Sequence, residues 1–116
     1  MKLFIPAIGT KIKLTADWTF MVHPEYRNRA VYEMVHGSHI PEFLWGGNTK
    51  YAPKPFTLPA GVIVTIDRIY IKKPSPDYNS VTFRIHKKDI NPPEFRGLRF
   101  WVKLDDANKI EGDIVL

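Results

Sequence analysis

The 116-residue chain contains no cysteine. That excludes a disulfide framework, a thiolate metal site and a cysteine nucleophile, and it leaves histidine and carboxylates as the metal ligands on offer. No apolar run approaches the ~18 residues that a membrane-spanning helix requires, and Pro6 interrupts Met1-Lys2-Leu3-Phe4-Ile5 before a signal-peptide core can form. A soluble, cytoplasmic protein without a membrane partner is expected. Nucleophile elbows, phosphate-binding glycine loops and H-E-x-x-H pairs are also missing, and Gly46-Gly47 lacks the Lys-Ser/Thr that follows a P-loop. Asp105-Asp106 could pass for paired carboxylates, but adjacent acids at a capping position serve the backbone better than acid/base chemistry. No catalytic residue, cofactor or metal is expected, and the chain reads as a non-enzyme.

What is present is enough apolar material, 44% of residues, for one core, so residues 1–116 read as a single domain. The formal charge of +5 is unevenly spread: residues 51–104 hold ten basic and four acidic side chains, whereas residues 105–116 hold one and four. Such a balance disfavours an acidic mimic of DNA and is compatible with a polyanion partner.

Ten prolines and seven glycines cut the chain so often that no window sustains a helical apolar repeat. Strands are expected instead. From Lys11 to His23 the apolar Ile12, Leu14, Ala16, Trp18, Phe20 and Val22 share one parity, predicting one long strand or two collinear ones. Turn chemistry at Pro24 to Arg29 then predicts a hairpin whose second arm is Ala30 to Val35. Residues 36–58 show no period and read as a long irregular segment. The turn Leu58-Pro59-Ala60-Gly61 feeds the strongest strand, Val62 to Lys72, whose alternation slips between Ile66 and Ile69. One extra residue near Asp67-Arg68 restores the phase, so a β-bulge is predicted there. A Lys73 to Asp77 turn follows. Val81, Phe83 and Ile85 alternate cleanly, as do Leu98, Phe100, Val102 and Leu104 after a second irregular stretch, Lys87 to Gly97. Asp105 to Asn108 suits a single helical or 3₁₀ turn, and Ile110 to Val115 is expected to close the sheet.

Short strands, long loops, a bulged central strand and a late 3₁₀ turn predict an all-β fold: a small, strongly bent antiparallel barrel, SH3-like first and OB-like second. Trp18, Phe20, Val64, Phe83, Phe100 and Val102 should share its core. The segments Pro6 to Thr10, Ala16 to Phe20, Leu58 to Ile71, Ser80 to Arg84 and Arg99 to Leu104 resemble segments of small accessory proteins encoded by bacteriophages. That family carries no assigned activity to transfer. The resemblance implies a setting in which the protein binds, and in doing so inhibits, a host protein in the host cytoplasm.

Two candidate surfaces follow. Phe43, Trp45 and Tyr51, in the long irregular segment, are either anchors for a protein partner or plugs for the open end of the barrel. The outward parity of the later strands collects Arg68, Tyr70, Lys72, Arg84, His86, Arg99, Trp101 and Lys103. Lysine and arginine there can neutralise phosphates while Trp101 or Tyr70 stacks on unpaired bases, which makes nucleic-acid binding the alternative reading; the plainer one is a solvated sheet face. Glu33, His36, His39 and Glu42 recur every three residues, but Gly37 and Pro41 argue against the helix that would align them as metal ligands.

Overall fold

The computed structural model describes residues 7–39, 52–71 and 79–116. Along them run β1 (Lys11–Leu14), β2 (Trp18–Val22), a 3₁₀ turn (Tyr26–Asn28), α1 (Arg29–His36), β3 (Lys54–Leu58) and β4 (Ile63–Tyr70). There follow β5 (Ser80–Arg84), another 3₁₀ turn (Pro93–Phe95), β6 (Arg99–Lys103), the one-turn helix α2 (Leu104–Ala107) and β7 (Gly112–Val115). A five-stranded antiparallel sheet has the order β6-β5-β4-β1-β7, and β2 pairs with β3 in a separate two-stranded sheet.

The alternation places the core. Ile12, Leu14, Val64, Ile66, Val81, Phe83, Phe100 and Val102 are buried on one side of the large sheet, together with Trp18, Phe20, Val22, Phe56 and Leu58 of the small one. Trp18 meets Phe20 at 4.4 Å and the edge of Phe83 at 5.1 Å, and Phe20 stacks on Phe100 at 4.9 Å. The Trp18 indole N–H donates to the Asp106 carbonyl at 3.0 Å, so the largest core side chain is also satisfied at its polar end. All six residues expected in the core are there.

The bulge is where the phase slip put it. Ile66 faces Phe83 and Arg68 faces Thr82, leaving Asp67 as the extra residue in β4. The late helical turn also forms, as α2, with Asp105 and Asp106 in its first turn.

The architecture is nevertheless mixed α/β with open sheets, not the all-β SH3-like or OB-like barrel that the alternation predicted. Three local features account for the difference. Bends at Thr15 and Ala16 split the expected Lys11–His23 strand, sending β1 and β2 into different sheets although their inward parity is continuous. Arg29–His36 is a helix, not a hairpin arm: Val31, Tyr32 and Val35 lie on its inner side, a helical spacing, and Gly37 ends it in a left-handed conformation (φ 85°). Third, β7 extends the sheet beyond β1 without reaching β6. The β6 edge is met by a side chain instead. The buried Asn28 amide accepts from the Trp101 N–H at 2.8 Å and donates to the Trp101 carbonyl at 3.1 Å, as a neighbouring strand would. Asn91 does the same for Ile63, at 2.9 and 3.2 Å. The irregular 36–58 segment is corrected at both ends, since His36 closes α1 and Lys54–Leu58 is a strand. The expected Lys73 to Asp77 turn lies outside the described residues.

Candidate nucleic-acid interface

With the core on one side, the register arranges the side chains of the other side of the five-stranded sheet in rows, in which Arg68, Tyr70, Arg99 and Lys103 are exposed, Thr65 and Thr82 are buried, and Lys11 is held by Asp89 at 2.8 Å. Lys11, Thr65, Arg84 and Arg99 form one row across four strands; Arg68, Thr82 and Trp101 form the next; Tyr70, Ser80 and Lys103 form a third. Arg84 directly opposite Arg99 is a like-charge pair, which by itself destabilises a sheet. The bulge resolves it. Asp67 is aimed between the two, with its Oδ2 2.7 Å from Arg99 Nε and 3.7 Å from Arg84 Nη2. The hydrogen bond from Arg99 and the two positive charges hold the Asp67 carboxyl below the usual carboxylate range.

Arg68 is exposed, and Tyr70 beside the end of β4 is 49% exposed. Lys103 is exposed at the end of β6. Neither Arg68 nor Lys103 has a hydrogen-bond or ion-pair partner among the described residues. His86, half-buried two residues beyond β5, makes no hydrogen bond or ion pair to this cluster among the described residues. Lys72 lies outside them, as do Phe43, Trp45 and Tyr51, so the expected protein-binding anchors have no described position.

Trp101 is a different case from Tyr70. Its ring stacks on His23 at 5.3 Å and 6° between planes, the Arg27 guanidinium sits 5.9 Å from its centroid, and its indole N–H donates to Glu25. Its stacking capacity is already engaged within the fold, which leaves Tyr70 as the aromatic that presents an open ring. Burial alone would raise the Glu25 carboxyl, but hydrogen bonds from Arg27 and Trp101 outweigh it and hold the group below its ordinary value.

His23 adds a pH dependence. Burial, reinforced by the nearby charge of Lys103 and opposed by Asp106, lowers its pKa from the ordinary 6.5, and its Nε2 is buried without a partner. Unfolded chains accept a proton at the ordinary value while the folded protein resists it. Stability should therefore fall as pH is lowered through 6.5 and on towards the depressed folded value. Thermal melts across that range should show a steeper decline for the wild type than for His23→Gln; parallel curves would contradict the assignment.

Sequence reasoning missed Arg27, Glu25 and Asn28, which it read as turn chemistry. The Asn28–Trp101 contact joins residues 73 apart in sequence, and no local signal reports it. On the metal-ligand reading, α1 holds Glu33 and His36 but ends at Gly37, so no helix carries the alignment on to His39, as the glycine led one to expect; His39 Nδ1 lies 2.7 Å from Glu33 Oε2. Glu42 lies outside the described residues, and among those described no group of three or more potential ligands could hold a metal ion. Nor, among them, is any helix long and apolar enough to cross a membrane.

A scan against protein-family models finds no match, and comparisons with curated proteins and with solved structures find none either. The expected likeness to small bacteriophage proteins is not upheld: no family match supports it, and the mixed fold with open sheets departs from the barrel it implied.

Proposed function

We propose that the chain is a binding protein that holds a single nucleic-acid strand on the face of its five-stranded sheet opposite the core. The observation that carries this reading is the concentration of Arg27, Arg68, Arg84, Arg99 and Lys103 around β4, β5 and β6, offset by the carboxylates of Glu25 and Asp67. Phosphate neutralisation by such side chains supplies the sequence-independent part of affinity, and arginine is suited to it because its fork matches phosphate oxygens. Tyr70, exposed at the margin of the same face, offers a ring to an unpaired base. A duplex would present no such base, which favours a single strand.

The experiment is a fluorescence-anisotropy titration of a labelled single-stranded oligonucleotide at rising salt. With about four phosphates neutralised, log K should fall against log[salt] with a slope near −3, so a fourfold rise in salt weakens binding roughly 50-fold. Absence of binding at low salt, or binding indifferent to salt, would contradict the reading.

A further inference from the structure

Within the basic face, Arg27, Arg68 and Arg99 surround a narrow depression that Thr82 and Trp101 also line. Two of these guanidiniums are held by carboxylates. Arg27 Nε donates to both oxygens of Glu25, at 2.9 and 3.2 Å, and Arg99 Nε donates to Asp67 at 2.7 Å. Their Nη groups make no hydrogen bond among the described residues, and Arg68 makes none at all there. The supports are themselves anchored: Glu25 accepts from the Trp101 indole, and Asn28 grips the Trp101 backbone. All three guanidiniums thus line one depression, and for Arg27 and Arg99 part of the ordering cost is already met by the fold.

We propose that this depression is a subsite for a terminal phosphate monoester, so that the sheet face takes a nucleic-acid strand by its phosphorylated end. The inference rests on the nucleic-acid reading of the face and adds an end preference to it. Two features select a monoester over the diesters of the chain interior. A monoester offers three terminal oxygens, one for each fork, whereas a diester offers two. Charge agrees. Arg27, Arg68, Arg84 and Arg99 against Glu25 and Asp67 leave a net charge of +2, opposite to the phosphate dianion.

The test compares oligonucleotides of one sequence carrying a 5′-phosphate, a 3′-phosphate or only hydroxyl ends. One phosphorylated form should bind about tenfold more tightly than the hydroxyl form, the increment expected of one or two charge-assisted hydrogen bonds. Arg68→Gln and Arg27→Gln should each erase that preference, bringing phosphorylated and hydroxyl-ended oligonucleotides to equal affinity, while the lost charge weakens binding of all three forms alike. Equal affinity for all three oligonucleotides would overturn the subsite and leave the nucleic-acid reading standing. A preference that survives both substitutions would place the phosphate elsewhere and overturn it too. Should no oligonucleotide bind, the reading of the face fails; inorganic phosphate is then titrated against amide shifts of Arg27 and Arg68. Shifts lost in Arg68→Gln would keep an anion site but overturn its assignment to a strand end, as would a phosphoserine peptide that binds more tightly than any oligonucleotide.

Discussion

Asn28→Ala should lower the melting temperature by roughly 10–15 °C, a large effect for a change of a few atoms in a turn. Asn28 is fully buried, and its amide is the partner of the Trp101 N–H, the Trp101 carbonyl and the His23 carbonyl, at 2.8, 3.1 and 3.2 Å. Alanine fills the backbone position but leaves those groups without a partner. At about 1–3 kcal/mol for a buried polar group left unsatisfied, a cost of about 3 kcal/mol or more is expected. Asn28→Asp tests the same clip differently, because it keeps an acceptor for the Trp101 N–H while setting a charged oxygen against two carbonyls; it should be no more stable than the alanine variant. A melting point within 2 °C of wild type for Asn28→Ala would show that the β6 edge does not depend on this side chain.

The consequence reaches the site. Glu25 and Arg27 lie just before Asn28 in the chain and reach Trp101 from there. Loosening the clip should therefore weaken strand binding as well as stability.

Reversing two charges should do the opposite, abolishing binding while sparing the fold. Arg68 and Lys103 are exposed, stand on separate strands of the face opposite the core and have no hydrogen-bond or ion-pair partner among the described residues. Arg68→Glu with Lys103→Glu removes two phosphate contacts and adds two repulsions. Each lost contact should flatten the salt slope by about 0.7 for a single strand, and low-salt affinity should drop roughly 100-fold. Anisotropy titrations read the loss, and an unchanged thermal melt shows that it is a loss of contacts. Binding weakened less than about threefold would move the site off this face.

Much of this face was legible in the sequence because parity is a local property. Once Phe83 and Phe100 point inward, Arg84 and Arg99 point outward, and the slip after Ile66 locates the bulge that turns Asp67 towards them. Parity does not say which sheet a strand joins. Ile12, Leu14, Trp18 and Phe20 are in phase through the bend at Thr15 and Ala16, so the split between β1 and β2 left no mark in the pattern. A two-turn helix such as α1 has too few residues to establish a period, and its Gly37 end cap reads equally well as a breaker. β3 was hidden by Pro55, which is tolerated because this strand pairs on one side only, with β2. Barrel closure failed for a related reason. It depends on what meets the edges of β6 and β7, and at β6 that is a side chain drawn from a distant turn.

The pattern therefore gave the chemistry of the outward strands but not their surroundings. It could not foresee that Trp101 is engaged by His23, Arg27 and Glu25 while Tyr70 keeps an open ring. Nor could it bring Arg27 to the rim of the depression.

The most direct test of the account is a titration of isotope-labelled protein with an unlabelled single-stranded oligonucleotide at low salt, read through backbone amide shifts. The largest changes should fall on Arg68, Tyr70, Arg84, Arg99 and Lys103 and on Arg27 beside them, with α1 and the β2–β3 pair left nearly unmoved. Shifts concentrated on α1 or on β7, or no shifts at concentrations that saturate a weak site, would contradict the claim that the face of the five-stranded sheet opposite the core is where this protein binds.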